Sequence, residues 1–194
     1  MTDPLPLRLR AYGPENADTV LYWRNQPRVL ANMSNDQPIS PAEHAAFLTG
    51  LQDDASREYF LLERGPQVLA GLSLVDINQP VVRWGCFLCS EGVVPGLFPA
   101  LFLLAADRAF DRHGAPCLGS EVVEHNQAPQ RLNRYLGMPI SARRSIQRPV
   151  SGPCELLEYR LNVKDWSPVR ARSATLLSRA LHEAINTVEI TETP

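Results

Sequence analysis

No apolar run in this 194-residue chain is long enough to cross a bilayer. The most apolar stretch, Gly96 to Ala106, is interrupted by Pro99, and a spanning helix needs about 20 residues. Met1 to Pro6 carries no basic segment followed by an apolar run, so no signal peptide and no membrane partner is expected, and a cytoplasmic location is. An excess of charge of one sign is lacking too. The net charge of -2 argues against a dedicated nucleic-acid binder, which carries a basic surplus. Cysteine is sparse, and Cys86 and Cys89 form one C-x-x-C without a second ligand pair to complete a zinc site. On a strand, residues three apart point to opposite faces. Cys86, Cys89, Cys117 and Cys154 are therefore read as buried, reduced thiols, and no metal is expected. No internal repeat and no dividing linker is visible, and the length suits one domain with a full core.

The chain does carry a clear order of elements. Leu5 to Tyr12 alternates apolar and polar residues as a half-buried strand does. Gly13-Pro14 breaks it, Asn16 to Arg24 reads as a short helix, and Asn25 to Pro38 reads as irregular. Ser40-Pro41-Ala42-Glu43 has the residues of a capping box with proline at the first helical position, and Ala46, Phe47 and Leu51 follow with helical spacing. Strands are expected at Glu58 to Glu63, Gln67 to Ile77 and Val81 to Leu88, in an antiparallel meander. A loop, Ser90 to Gly96, leads to a helix over Pro99 to His113 that is apolar nearly all round and should be buried.

Cys117 to Val123 is a strand, and Asn126 can cap a helix that ends at Gly137. A basic loop, Arg143 to Arg148, reads as solvated surface, and Glu155 to Val163 as a strand. Ser173 to Val188 is expected as one amphipathic helix whose stripe, Leu176 to Ile185, either packs on its own domain or forms a homodimer contact. The order is β-α-α-β-β-β-α-β-α-β-β plus a terminal helix. A helix N-terminus beside strand ends in mid-chain suits an anionic group such as pyrophosphate.

That order, and several motifs, resemble the GNAT acyltransferase superfamily. Trp23-Arg24-Asn25-Gln26-Pro27 looks like a W-R-N-x-P motif, and it is followed by Met33, Ile39-Ser40, Glu43-His44 and Phe47. Glu58-Tyr59-Phe60-Leu61, Trp84-Gly85-Cys86-Phe87 and Glu121-Val122 with Asn126 are similar to the sugar-nucleotide N-acetyltransferases of pseudaminic acid synthesis. Asn126 through Leu136-Gly137-Met138 resembles the general GNAT ending. The resemblance implies an α/β (α+β) GNAT fold, with a mixed, mostly antiparallel seven-stranded twisted sheet, about four flanking helices and an extra C-terminal helix. It implies an acyltransferase domain over residues 1–165 and an amphipathic helix and tail over 166–194. The activity it implies is acetyl transfer from acetyl-CoA to the amine of a UDP-linked 4-amino-4,6-dideoxy sugar, toward a nonulosonic acid for flagellin or surface glycans.

The site residues follow by position. Glu121 and His44 are the candidates for moving the amine's proton, His44 also for a contact to substrate uracil or phosphate. Cys86, Phe87 and Leu88 would offer backbone N–H groups to the coenzyme and the oxyanion, and Val94, Gly96, Phe98 and Asn126 would line the rest of the coenzyme's path. Trp23, Arg24, Asn25, Met33, Ser73 and Trp84 are the substrate-side candidates. Arg24 suits a diphosphate or a helix-end salt bridge, and Trp84 and Phe87 suit the core equally. Two departures stand out. Phe98 and Pro99 replace the second glycine of the pyrophosphate loop and one N–H donor. Asn133 stands at the catalytic position where relatives carry a Tyr or His, and Tyr135 lies ~200° round the helix from it. A GNAT acting on a protein N-terminus or a small amine, and a degenerate non-catalytic GNAT, are the alternatives.

Overall fold

A computed structural model describes residues 6–89 and 94–191. Leu5 of the first expected strand, and residues 90–93 of the expected loop, lie outside the described residues. Eight strands form one mixed sheet in the order β6-β7-β5-β4-β3-β2-β1-β8. They are β1 (Leu7–Ala11), β2 (Arg57–Arg64), β3 (Gln67–Val75), β4 (Val81–Leu88), β5 (Cys117–Val123), β6 (Ile140–Arg148), β7 (Gly152–Asn162) and β8 (Glu189–Thr191). The expected meander is present: β2 pairs β3 and β3 pairs β4, both antiparallel.

Alternation along the strands sends side chains to two helical layers. Leu7, Leu9, Phe60, Leu62, Leu72 and Leu74 face the main core, which holds α4 (Leu97–Asp107) and α5 (Gln127–Leu136). Leu61 and Tyr12 face the other way, against Val20 of α1 (Ala17–Arg24) and Leu48 of α3 (Pro41–Gln52). The α3 capping box forms as expected: Glu43 N–H donates to Ser40 Oγ at 3.2 Å and Ser40 N–H to Glu43 Oε2 at 2.8 Å. One further short helix, α2 (Pro27–Leu30), lies in the segment expected to be irregular. Helix α4 is buried along nearly its whole length, with Phe102 between Trp84 at 5.7 Å and Trp166 at 5.8 Å. Among the described residues no helix is long and apolar enough to cross a membrane.

Three expectations are corrected. The basic loop is an edge strand, β6, held in register along β7. Its residues are almost all exposed on both faces, so no apolar alternation announced it. Arg148 is not solvated; only 3% of it is exposed. The single terminal helix is two, α6 (Trp166–Ala174) and α7 (Arg179–Asn186), because Ser178 caps a new helix by accepting the Leu181 N–H at 3.2 Å. Leu181 and Ile185 are buried in the chain's own core, and β8 then adds to β1 in parallel, which makes the eighth strand.

Candidate active site

The parallel strands β4 and β5 pair only at Val81–Arg83 with Cys117–Gly119. Past that point β4 keeps its antiparallel partner β3 as far as Leu88, and β5 keeps β7. Between Trp84 and Leu88 the β5-facing edge of β4 therefore has no strand partner among the described residues. A sheet opened in this way presents backbone N–H and C=O groups that a ligand can satisfy.

A cavity of about 520 Å³ passes through the opening. On the α4–α5 side it is walled by Trp84, Cys86, Phe98, Val122, Asn126 and Asn133. On the α1–α3 side it is walled by Arg24, Met33, His44, Ser73, Phe87 and Glu121. Most of the residues nominated from sequence thus share one space. Five do not line it. Leu88 and Val94 pack against the core. Gly96 sits at the start of α4, Trp23 stacks under Arg28 at 5.4 Å, and Asn25 is spent on two 2.8 Å bonds to the Ile39 backbone.

Sequence reasoning missed an aromatic row on the α1–α3 side. His44 stacks on Phe47, Phe47 meets Tyr59 edge-on at 5.1 Å, and Tyr59 lies 5.5 Å from Tyr12. The Tyr12 ring reaches across β2 to Gly71, whose missing Cβ would sit 2.7 Å from the Tyr12 hydroxyl and clash with the Phe87 ring. Only glycine permits that approach. The one clue in the sequence was the tyrosine ending the first strand, which periodicity alone assigns to the core as readily as to a site.

Electrostatics divide the lining groups. His44 is only 5% exposed, and its Nε2 lies 3.0 Å from the Ala17 carbonyl. A carbonyl only accepts, so Nε2 carries the proton and Nδ1 keeps its lone pair. Burial pulls the His44 pKa below its ordinary value, against the Ala17 bond and Asp18. Glu121 accepts from Arg144 Nη2 at 2.8 Å and lies 3.9 Å from Arg83. The other lining carboxylate, Glu43, is occupied in its cap. Arg24 is the reverse case. Its Nη2 reaches the Asn35 carbonyl at 3.4 Å, its Nη1 is buried without a hydrogen-bond partner, and no carboxylate pairs with it among the described residues. Burial lowers its pKa, but a guanidinium stays charged.

The α4 side is less generous to an anion. Gly96 starts the helix with φ of 80°, the left-handed region. The Leu97 N–H is taken by the Val94 carbonyl at 3.1 Å, and Pro99 has none to give. Phe98 lies against Trp84, with ring centres 5.9 Å apart, and walls the cavity without filling it. Gly96 itself faces Leu176, Leu177 and Leu181 of the C-terminal segment. Asn126 occupies the N-cap of α5, but its side chain makes no capping bond. Asn133 is 4% exposed and hydrogen-bonds to Tyr159, while the Tyr135 hydroxyl turns away to Thr175 at 3.1 Å. Cys86 is a free thiol whose pKa burial pushes up to about 12.

No protein-family model matches the chain, and no curated protein matches it. Solved structures do. An acetyltransferase structure from T. thermophilus superposes with a TM-score of 0.71 at 19% identity, over 92% of this chain and 98% of that one. A spermidine N-acetyltransferase from Vibrio cholerae, in complex with CoA and spermine, gives 0.75 at 15% identity, over 83% and 98%. With its parted β4 and β5 and its helices on both faces, this chain has the GNAT acetyltransferase fold.

Proposed function

We propose that the chain is a GNAT-type N-acetyltransferase that moves an acetyl group from acetyl-CoA to the amine of a UDP-linked 4-amino-4,6-dideoxy sugar. The observation that carries this reading is the cavity running through the parted sheet, open to both helical layers. The unpaired edge of β4 can accept a pantetheine chain and donate N–H groups to a thioester carbonyl. Holding thioester and amine together there supplies much of the catalysis.

The polar groups on the α1–α3 side favour an anionic acceptor over a polyamine. Both lining carboxylates are already engaged, whereas the Arg24 guanidinium is free to take a diphosphate oxygen. His44 Nδ1 receives the amine's proton, since it has a lone pair and no partner among the described residues. Glu121 is the weaker base, because accepting a proton would cost its bond to Arg144. A Cys86 thiol with so high a pKa is no nucleophile, so the acetyl group passes directly from thioester to amine. Asn133 has no acidic proton to give the leaving thiolate, but its N–H can donate a hydrogen bond.

A second reading, a non-catalytic GNAT serving as a binding module, is favoured by the blocked first turn of α4. Thiol release from acetyl-CoA decides between them, measured with a UDP-4-amino sugar, with spermidine and with an amino-terminal peptide. Saturable release with the nucleotide sugar alone is expected. Release with spermidine or peptide alone would reject the sugar assignment, and none with any amine would favour the module.

A further inference from the structure

The cavity is roofed on one side by residues 31–39, which follow α2 and have no regular secondary structure. Asn32, Met33, Asn35, Gln37, Pro38 and Ile39 all line it. A segment of this kind needs partners for its backbone, and it finds them in a distant part of the chain. Arg148, at the end of β6, donates to the carbonyls of Leu30 at 3.1 Å, Ala31 at 2.9 Å and Met33 at 3.0 Å. Asp36 accepts the N–H groups of Val150 at 2.9 Å and Ser151 at 2.8 Å, in the turn between β6 and β7. The two side chains are 3.4 Å apart and only 4% and 3% exposed.

Neither side chain lines the cavity. Burial alone would raise the Asp36 pKa. Its bonds to Ser151 and Val150, and the Arg148 charge, outweigh that and hold it at about 2, so the pair stays ionised. The site already described uses neither residue. A guanidinium that spans three carbonyls of one segment, paired with a carboxylate of that segment, clamps the segment at both ends. The β6–β7 hairpin is an edge element whose remaining arginines face solvent, so this clasp gives its turn a task.

We propose that Arg148 and Asp36 are positioning residues that fix the cavity roof, so that acceptor recognition depends on the β6–β7 hairpin. The inference rests on the acyltransferase reading only for its kinetic consequence. The roof lines the acceptor side of the opening, and the clasp touches neither α4 nor β4. Loosening it should therefore weaken acceptor binding and spare the coenzyme.

The test is Arg148→Met beside the milder Asp36→Asn, each read in two ways. Backbone amide exchange over residues 31–39 should quicken about tenfold or more in both variants, while exchange in β3 and β4 stays unchanged. The KM for the acceptor amine should rise about tenfold, with the acetyl-CoA KM within about twofold of wild type. Unchanged exchange over 31–39, or acceptor and acetyl-CoA KM rising together, would overturn the proposal. If Arg148→Met fails to fold, Asp36→Asn decides the proposal by the same two measurements. Wild-type protein without turnover on any amine would remove the transferase reading, and the exchange data would then decide the clasp by themselves.

Discussion

Gly85→Leu is expected to lower acetyl transfer by about 100-fold or more while the melting temperature stays within about 3 °C of wild type. Gly85 lies in mid-β4, paired with Ser73 on β3, and it lines the cavity where the sheet begins to part. A Cβ built there meets a single neighbour within 4 Å, the Ser73 hydroxyl at 3.2 Å. A leucine side chain would project into the cavity and not into packed core. Strand interiors favour leucine over glycine, so the fold has no reason to weaken. Gly71 is unsuited to the same test. Its Cβ would run into the Phe87 ring and the Tyr12 hydroxyl, mixing loss of fold with loss of site. Full activity in a folded Gly85→Leu protein would mean that the chemistry lies outside this cavity.

His44→Phe is expected to lower kcat by about 100-fold or more, the usual contribution of a positioned general base. Phenylalanine keeps the ring against Phe47 and loses Nδ1 together with the bond to Ala17. Wild-type activity should be level from pH 8 to about 6.5 and fall only below that, because burial lowers the His44 pKa and keeps the imidazole neutral. Stability carries the same sign. The unfolded chain takes up the proton first, so this contribution to stability is lost as pH falls through about 6.5. His44→Phe should flatten both dependences. If Glu121→Gln loses the activity while His44→Phe keeps its rate and its pH profile, the base is Glu121 and the role given to His44 is wrong.

The elements that form the opening were legible in the sequence because each has a strong local signal. Val81–Leu88 and Cys117–Val123 form strands within the expected bounds, and the Ser40–Glu43 cap starts α3 where its chemistry requires. What failed to show was whatever depends on tertiary partners. Ile140–Arg148 is polar on both faces, so it becomes a strand only because β7 offers an edge. Arg148 reads as a surface charge until Asp36 and three carbonyls, more than a hundred residues earlier in the chain, surround it. Ser178 restarts a helix inside an apolar stripe that by spacing alone is continuous. In the cavity, His44, Glu121 and Arg24 could be nominated from a resemblance, but Tyr12, Phe47 and Tyr59 could not. An aromatic residue on a strand or helix face has the same pattern whether it meets core or ligand.

The parted sheet as a coenzyme slot is tested most directly by following backbone amide signals during titration with acetyl-CoA. Saturable shifts at Trp84–Leu88 and Ser120–Val122, at micromolar to low millimolar concentrations, are expected from a thioester chain lying along the free edge of β4. Saturation with those signals unmoved, or no saturation at all, would contradict it.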